Sequence, residues 1–151
     1  AATPLLVWLL RAPATDPTPP PGDVQQVEAA VQWDLRSRVR ADFNGDGQSD
    51  SAQIGTQGSA VVLGIAIQQA AQGEAPMQLL RFRVDADAHD GVCALPVTLQ
   101  LAQPACTLDS GPLEGCDATR SGAGLRLSDE RCDAIHLYWN FQRGQMAWWR
   151  R

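Results

Sequence analysis

From Ser59 to Gln68 the chain reads Ser-Ala-Val-Val-Leu-Gly-Ile-Ala-Ile-Gln. A period of two runs through this stretch. Val61, Leu63, Ile65 and Ile67 fall on one side, and Ala60, Val62, Gly64 and Ala66 on the other. β-Branched residues at that spacing specify a strand. Both sides are apolar, so the strand must be central and covered on both faces. The second side is built from small residues, which suits a close approach by whatever covers it.

The same period recurs downstream. Residues 77–84 place Leu80, Phe82 and Val84 on one face and Arg81 and Arg83 on the other. Val97, Leu99 and Leu101 alternate with Thr98 and Gln100, and Leu125 and Leu127 follow Gly122-Ala123-Gly124. Ile135, Leu137 and Trp139 alternate with His136, Tyr138 and Asn140; a turn at Gln142-Arg143-Gly144 then leads into Met146 to Trp149, a hairpin pattern. The chain carries 10 prolines and 13 glycines, which cut it into short segments. The expected fold is mainly β, an antiparallel meander of about six or seven strands, propeller-like or a twisted sheet.

One segment departs from this period. Val24, Val27, Val31 and Leu35 recur at helical spacing behind Asp23, a helix-capping residue type. One short N-terminal helix over 23–38 is therefore expected, with a strand near Val31 to Val39 as the competing reading.

At 151 residues the chain suits one domain with one core. Pro4-Leu5-Leu6-Val7-Trp8-Leu9-Leu10 followed by Ala12-Pro13-Ala14 has the pattern of a signal-peptide end, and the apolar run is too short to span a bilayer. Residues 1–14 are thus read as a signal remnant, 15–22 as a proline-rich linker and 23–151 as the β domain. A buried N-terminal strand is the alternative for the first segment. Four cysteines, an even number, agree with export to a secreted or periplasmic location. Cys106 with Cys116 and Cys93 with Cys132 is the preferred of three connectivities. The net charge is −5, and all 12 basic residues are arginine without a basic block, which argues against nucleic acid as the main partner.

Asp42-Phe43-Asn44-Gly45-Asp46-Gly47-Gln48-Ser49-Asp50 crowds three carboxylates into nine positions. Their repulsion needs an offset. Asp42, Asn44, Asp46 and Asp50 stand at positions 1, 3, 5 and 9 of a calcium loop; Gly47 permits its sharp turn, and Gln48 offers a backbone carbonyl. Oxygen donors so spaced can wrap one Ca2+, whose charge neutralises the carboxylates. A metal-free Asx-rich turn is the alternative. The EF-hand form needs Glu at position 12, where Gln53 stands, and the following Ser51-Ala52-Gln53-Ile54 alternates like a strand. Asp85-Ala86-Asp87-Ala88-His89-Asp90-Gly91 lacks the spacing and reads as a polar turn.

The loop resembles the D-x-N-x-D-G-x-x-D loops of FG-GAP/VCBS-type β-propeller repeats, where a strand leaves the loop. With Leu137-Tyr138-Trp139-Asn140 and an aromatic end, the chain also resembles small bacterial periplasmic proteins. These include immunity proteins against secreted peptidoglycan hydrolases, similar in fold to i-type lysozyme inhibitors. The resemblance implies a propeller-like β fold with bound calcium, and a lysozyme-like hydrolase or toxin as partner.

No nucleophile elbow, phosphate loop or zinc helix is present. His89 and His136 are the two histidines, read as solvent-facing or satisfied. Asp129, Glu130 and Asp133 around Cys132 are the residues a hydrolase would use, but nothing in the sequence sets their separation. The expectation is a protein that is not an enzyme and binds a macromolecule, or alternatively a carbohydrate or cell-wall module. Tyr138, Trp148, Trp149 and Arg143 are the candidate partner-binding residues, since Trp, Tyr and Arg dominate interface energetics. Trp148 and Trp149 are adjacent in a strand and must point to opposite faces.

Overall fold

The computed structural model describes residues 31–69, 73–74, 77–87 and 89–151. Their strands are β1 (Gln32–Ala41), β2 (Asp50–Gln57), β3 (Ala60–Ala66), β4 (Gln68–Gln69), β5 (Gly73–Glu74), β6 (Gln78–Arg83), β7 (Thr98–Ala102), β8 (Thr107–Leu108), β9 (Gly111–Pro112), β10 (Gly124–Ser128), β11 (Ile135–Asn140) and β12 (Gln145–Trp149). Two four-stranded antiparallel sheets result, in the orders β1-β2-β3-β6 and β12-β11-β10-β7. Each is a meander. The β4-β5 ribbon interrupts the first sheet and the β8-β9 ribbon the second. The expected antiparallel β architecture is therefore present as two meanders rather than one, and the sheets do not close into a barrel.

The inner faces share one core. Ala52, Ile54, Val61, Leu63, Ile65 and Phe82 come from the first sheet; Leu99, Leu125, Leu127, Ile135, Leu137 and Met146 come from the second. Apart from Ala52, each of these side chains, taken out of water, contributes about 1.5–3 kcal/mol of transfer free energy. A polar tie joins the sheets at the rim. The Gln78 amide donates to the Met146 carbonyl at 2.9 Å and accepts from the Met146 N–H at 3.0 Å.

The small side of β3 is also covered. A Cβ at Gly64 would lie 2.6 Å from the Trp33 ring and 2.8 Å from the Met77 sulfur, and one at Gly55 would lie 2.8 Å from the same ring. Trp33 therefore packs close against the sheet only because both positions lack side chains.

The helix expected over 23–38 is corrected for its described part: Gln32–Ala41 is strand, and the described residues contain no helix. Residues 23–30 lie outside the described residues, as do the signal remnant and the linker. The reason is a second period that the helical one masked. Arg36, Arg38 and Arg40 alternate with Ser37, Val39 and Ala41, and Val39 and Ala41 pack on the core. Pairing with β2 is interrupted by a register shift between Asp34 and Val39. Ser37 bridges the interruption, its hydroxyl donating to the Asp34 carbonyl at 2.6 Å and accepting the Ile54 N–H at 2.8 Å. Leu35, counted on the helical stripe, is exposed on this bulge.

Candidate metal-binding loop

The acidic loop turns β1 into β2, as the sequence period required. Phe43 is fully buried and anchors it. The Asp42 carbonyl accepts the Ala123 N–H at 2.8 Å, which ties the loop to the residue preceding β10. Contact here is close. A Cβ at Gly45 would stand 1.9 Å from the Arg120 carbonyl oxygen, and one at Gly122 would stand 1.8 Å from that of Asp42. Gly45 and Gly47 both adopt positive φ, +74° and +83°.

The side-chain oxygens fold inward over the loop's own backbone. Asp42 Oδ1 accepts from the Gly45 and Asp46 N–H groups at 2.7 and 3.2 Å, and Oδ2 from Gly47 at 2.8 Å. Asn44 Oδ1 accepts from the same Asp46 N–H at 3.2 Å. Asp46 Oδ1 accepts from Gln48 at 2.8 Å. Asp42 and Asn44 thus converge on one point of the loop. Asp50 is different. It is 2% exposed, and its two oxygens accept the Phe43 N–H at 2.8 Å and the Gln68 N–H at 2.9 Å. Its pKa is raised. Burial is the largest cause, the two amides oppose it, and the charges of Asp46 and Asp42 push it further up.

The donor set fits a hard cation in chemistry: only oxygens, three of the groups anionic, with a buried carboxylate whose charge is under-compensated. Asp42, Asn44, Asp46, Asp50 and the Gln48 carbonyl are the groups that would hold it. Among the described residues, one trio of His, Cys, Asp or Glu ligand atoms lies mutually within 4.8 Å, and it is Cys93, Asp129 and Cys132 rather than the loop. Both thiols of that trio are consumed in a disulfide, so it offers no thiolate.

Disulfides join Cys93 to Cys132 and Cys106 to Cys116, the pairing expected from the sequence. Asp129 lies beside the first and is 8% exposed. One of its oxygens accepts the Arg131 and Cys132 N–H groups, both at 2.9 Å; the other accepts those of Cys93 and Ala94. Burial raises its pKa, but the four amides together outweigh that and the net shift is downward. A carboxylate so engaged organises backbone around the disulfide. Asp133, exposed, does not share these bonds.

The aromatic candidates separate. Tyr138 is corrected as a partner-binding residue: it is 5% exposed, and its hydroxyl donates to the Glu114 carbonyl at 2.8 Å. Trp148 and Trp149 point to opposite faces, and neither is fully buried. Trp148, 36% exposed, packs edge-on against Phe82 at 5.6 Å on the inner rim. Trp149 stacks on His136 on the outer face, ring centroids 4.4 Å apart and planes 16° apart. Burial, with the charges of Arg126 and Arg151, lowers the His136 pKa. Arg143 is exposed and sits 3.6 Å from Glu114.

Asn140 is a buried organiser the sequence reading passed over. Its Oδ1 accepts the Gln142 and Arg143 N–H groups, each at 3.0 Å, and its Nδ2 donates to Glu114. An Asx residue opening a turn that ends in glycine is the signal that marks it. The 85–91 stretch is a turn at its described residues, closed by Asp85 N–H to Val92 at 2.8 Å.

No protein-family model, curated protein or solved structure matches this chain. Among the described residues, no helix is long and apolar enough to cross a membrane.

Proposed function

We propose that this chain is an exported, calcium-stabilised β domain that binds another macromolecule and is not an enzyme. The observation that carries the calcium reading is Asp50. A buried carboxylate with a raised pKa, two residues of like charge beside it and an oxygen-lined loop around them is a local instability that a divalent cation relieves. Calcium is then structural, holding the turn between β1 and β2. The two disulfides support an oxidising compartment, secreted or periplasmic. The partner we propose is a protein, a lysozyme-like peptidoglycan hydrolase or toxin, with this chain as its inhibitor or immunity protein. That finer reading rests on the resemblance of the loop and the terminal hairpin. Trp148 and Arg143 remain its surface candidates.

A second reading is a carbohydrate- or wall-binding module. The flat Trp149–His136 stack on an outer sheet face favours it, because sugar rings pack on such surfaces. One experiment separates the two. Lysozymes of several types are assayed for lysis with and without the protein, and the protein is sedimented with insoluble peptidoglycan. Inhibition in solution supports the first reading, and co-sedimentation without inhibition supports the second. Neither effect, in calcium, overturns both.

A further inference from the structure

The outer face of the first sheet carries a second feature, which adjoins the acidic loop at Ser49. Arg40, Ser51 and Ala66 align across β1, β2 and β3, and Gln53 and Gly64 form the next row. Between these rows lies a cavity of about 400 Å³ lined by Arg38, Arg40, Ser49, Ser51, Gln53, Gln68 and Met77 over the Gly64 and Ala66 backbone. That volume is within the range of small-molecule sites. Among the described residues no carboxylate lines it. The nearest buried acid, Asp50, gives its oxygens to the Phe43 and Gln68 backbone amides.

The state of the two arginines is the telling point. Arg38 donates through Nε and Nη2, at 3.0 and 2.8 Å, to the single oxygen Oε1 of Gln53. Gln53 is itself buried. The guanidinium is therefore oriented by a neutral acceptor, and its charge is left intact. Arg40 has no hydrogen-bond or ion-pair partner among the described residues. Elsewhere on the same face the contrast is plain: Arg83 is neutralised by Asp90 at 3.0 Å. In a chain of net charge −5, two guanidiniums without a carboxylate partner among the described residues form a local positive potential over a hydroxyl- and amide-lined hollow. Arginine's planar fork matches oxyanions, and pre-orientation lowers the cost of using it. Trp33 and Met77 cover the sheet at Gly64, so a ligand is received at the Ser51 and Ala66 end, beside Arg40.

We infer that this cavity binds a small molecule through a phosphate or carboxylate group, held by Arg38 and Arg40. Arg40 makes a contact for which the described residues offer it no partner, and Arg38 is presented by Gln53. None of the residues assigned to calcium makes this contact, although the two sites adjoin at Ser49.

The test is an NMR titration of arginine Nε–Hε resonances in the ¹⁵N-labelled full chain at constant ionic strength. Inorganic phosphate and succinate are the probes, and chloride is the control. The expected result is saturable movement of the Arg38 and Arg40 resonances with at least one probe. Arg40→Gln and Gln53→Glu each weaken that binding by about tenfold or more, the latter by placing a carboxylate against Arg38. Arg83→Gln leaves it unchanged. Saturation with phosphate alone assigns a phosphorylated ligand, with succinate alone a carboxylate, and with both a general oxyanion site. Non-saturating shifts equal to those from chloride overturn the inference, and so does wild-type affinity in both Arg40→Gln and Gln53→Glu.

Discussion

Asp50 and Asp129 do the same job at matching places in the two sheets, yet they differ in how well they are kept. Each is a buried carboxylate at a strand end that accepts backbone amides from two separate segments. Asp129 receives four amides and its pKa falls; Asp50 receives two, faces Asp42 and Asp46, and its pKa rises. Burial pushes both upward. The count of donors and the neighbouring charges decide the sign. One site is complete as it stands, and the other is left with surplus negative charge that an ion can offset.

The same substitution at both positions gives the largest contrast. In Asp129→Asn an NH2 group replaces an oxygen that faces two amides, so two buried donors lose their acceptor. A loss of about 3 kcal/mol is expected in denaturant unfolding with the disulfides intact. Asp50→Asn sets an NH2 against one amide while removing an unfavourable charge. The expected cost is about 1 kcal/mol in chelator. Equal losses would break the comparison.

Calcium comes next in size. At free Ca2+ about 100 times Kd, the proposed site is expected to stabilise the wild type by about 2.7 kcal/mol, read as a rise in Tm. Asp46→Ala, whose side chain is exposed, changes stability by within about 0.5 kcal/mol in chelator and shows no calcium response. A calcium response retained in Asp46→Ala would refute the assigned ligand set.

Acid sharpens the comparison further. The folded pKa of Asp129 lies below its unfolded value of 3.8, so its contribution is complete above pH 3.8 and is lost as pH falls through the folded pKa. Asp50 runs the other way. Its folded pKa is raised, so its contribution is complete below pH 3.8 and is lost as pH rises through the folded pKa. In chelator, Asp129→Asn should flatten the stability profile below pH 3.8 and Asp50→Asn should flatten it above.

The smallest effect belongs to His136. Its folded pKa lies below 6.5, so stability falls as pH drops from 6.5 toward that value. His136→Gln should remove that slope in thermal melts between neutral and mildly acidic pH.

Much of the sheet framework was legible because its strands alternate cleanly. β3, β6, β11 and β12 could be placed from Val61, Leu63, Phe82, Leu137 and Met146 alone, and the turn at 42–50 from its Asp, Asn and Gly spacing. β1 was legible only as the competing reading, a strand near Val31 to Val39, because Val24, Val27, Val31 and Leu35 mimic a helical stripe while the strand's true period lies in Arg36 to Ala41. An edge strand with a bulge has weak alternation, and its Ser37 bridge depends on a partner 17 positions away. The division into two sheets was also hidden, since period-two patterns say which face is buried and not against which sheet. The roles of Asp129 and Asn140 depend on where backbone amides point, which residue type alone does not encode. The arginine cavity needs the register of three strands.

The central claim is that Asp50 is the under-compensated carboxylate of a calcium loop. The most direct measurement is a ¹³Cγ pH titration of Asp50 and Asp129, in chelator and in saturating calcium. The account predicts an Asp50 midpoint above 3.8 in chelator that drops sharply with calcium, beside an Asp129 midpoint below 3.8 that calcium does not move. An Asp50 midpoint that is the same in both solutions would contradict it.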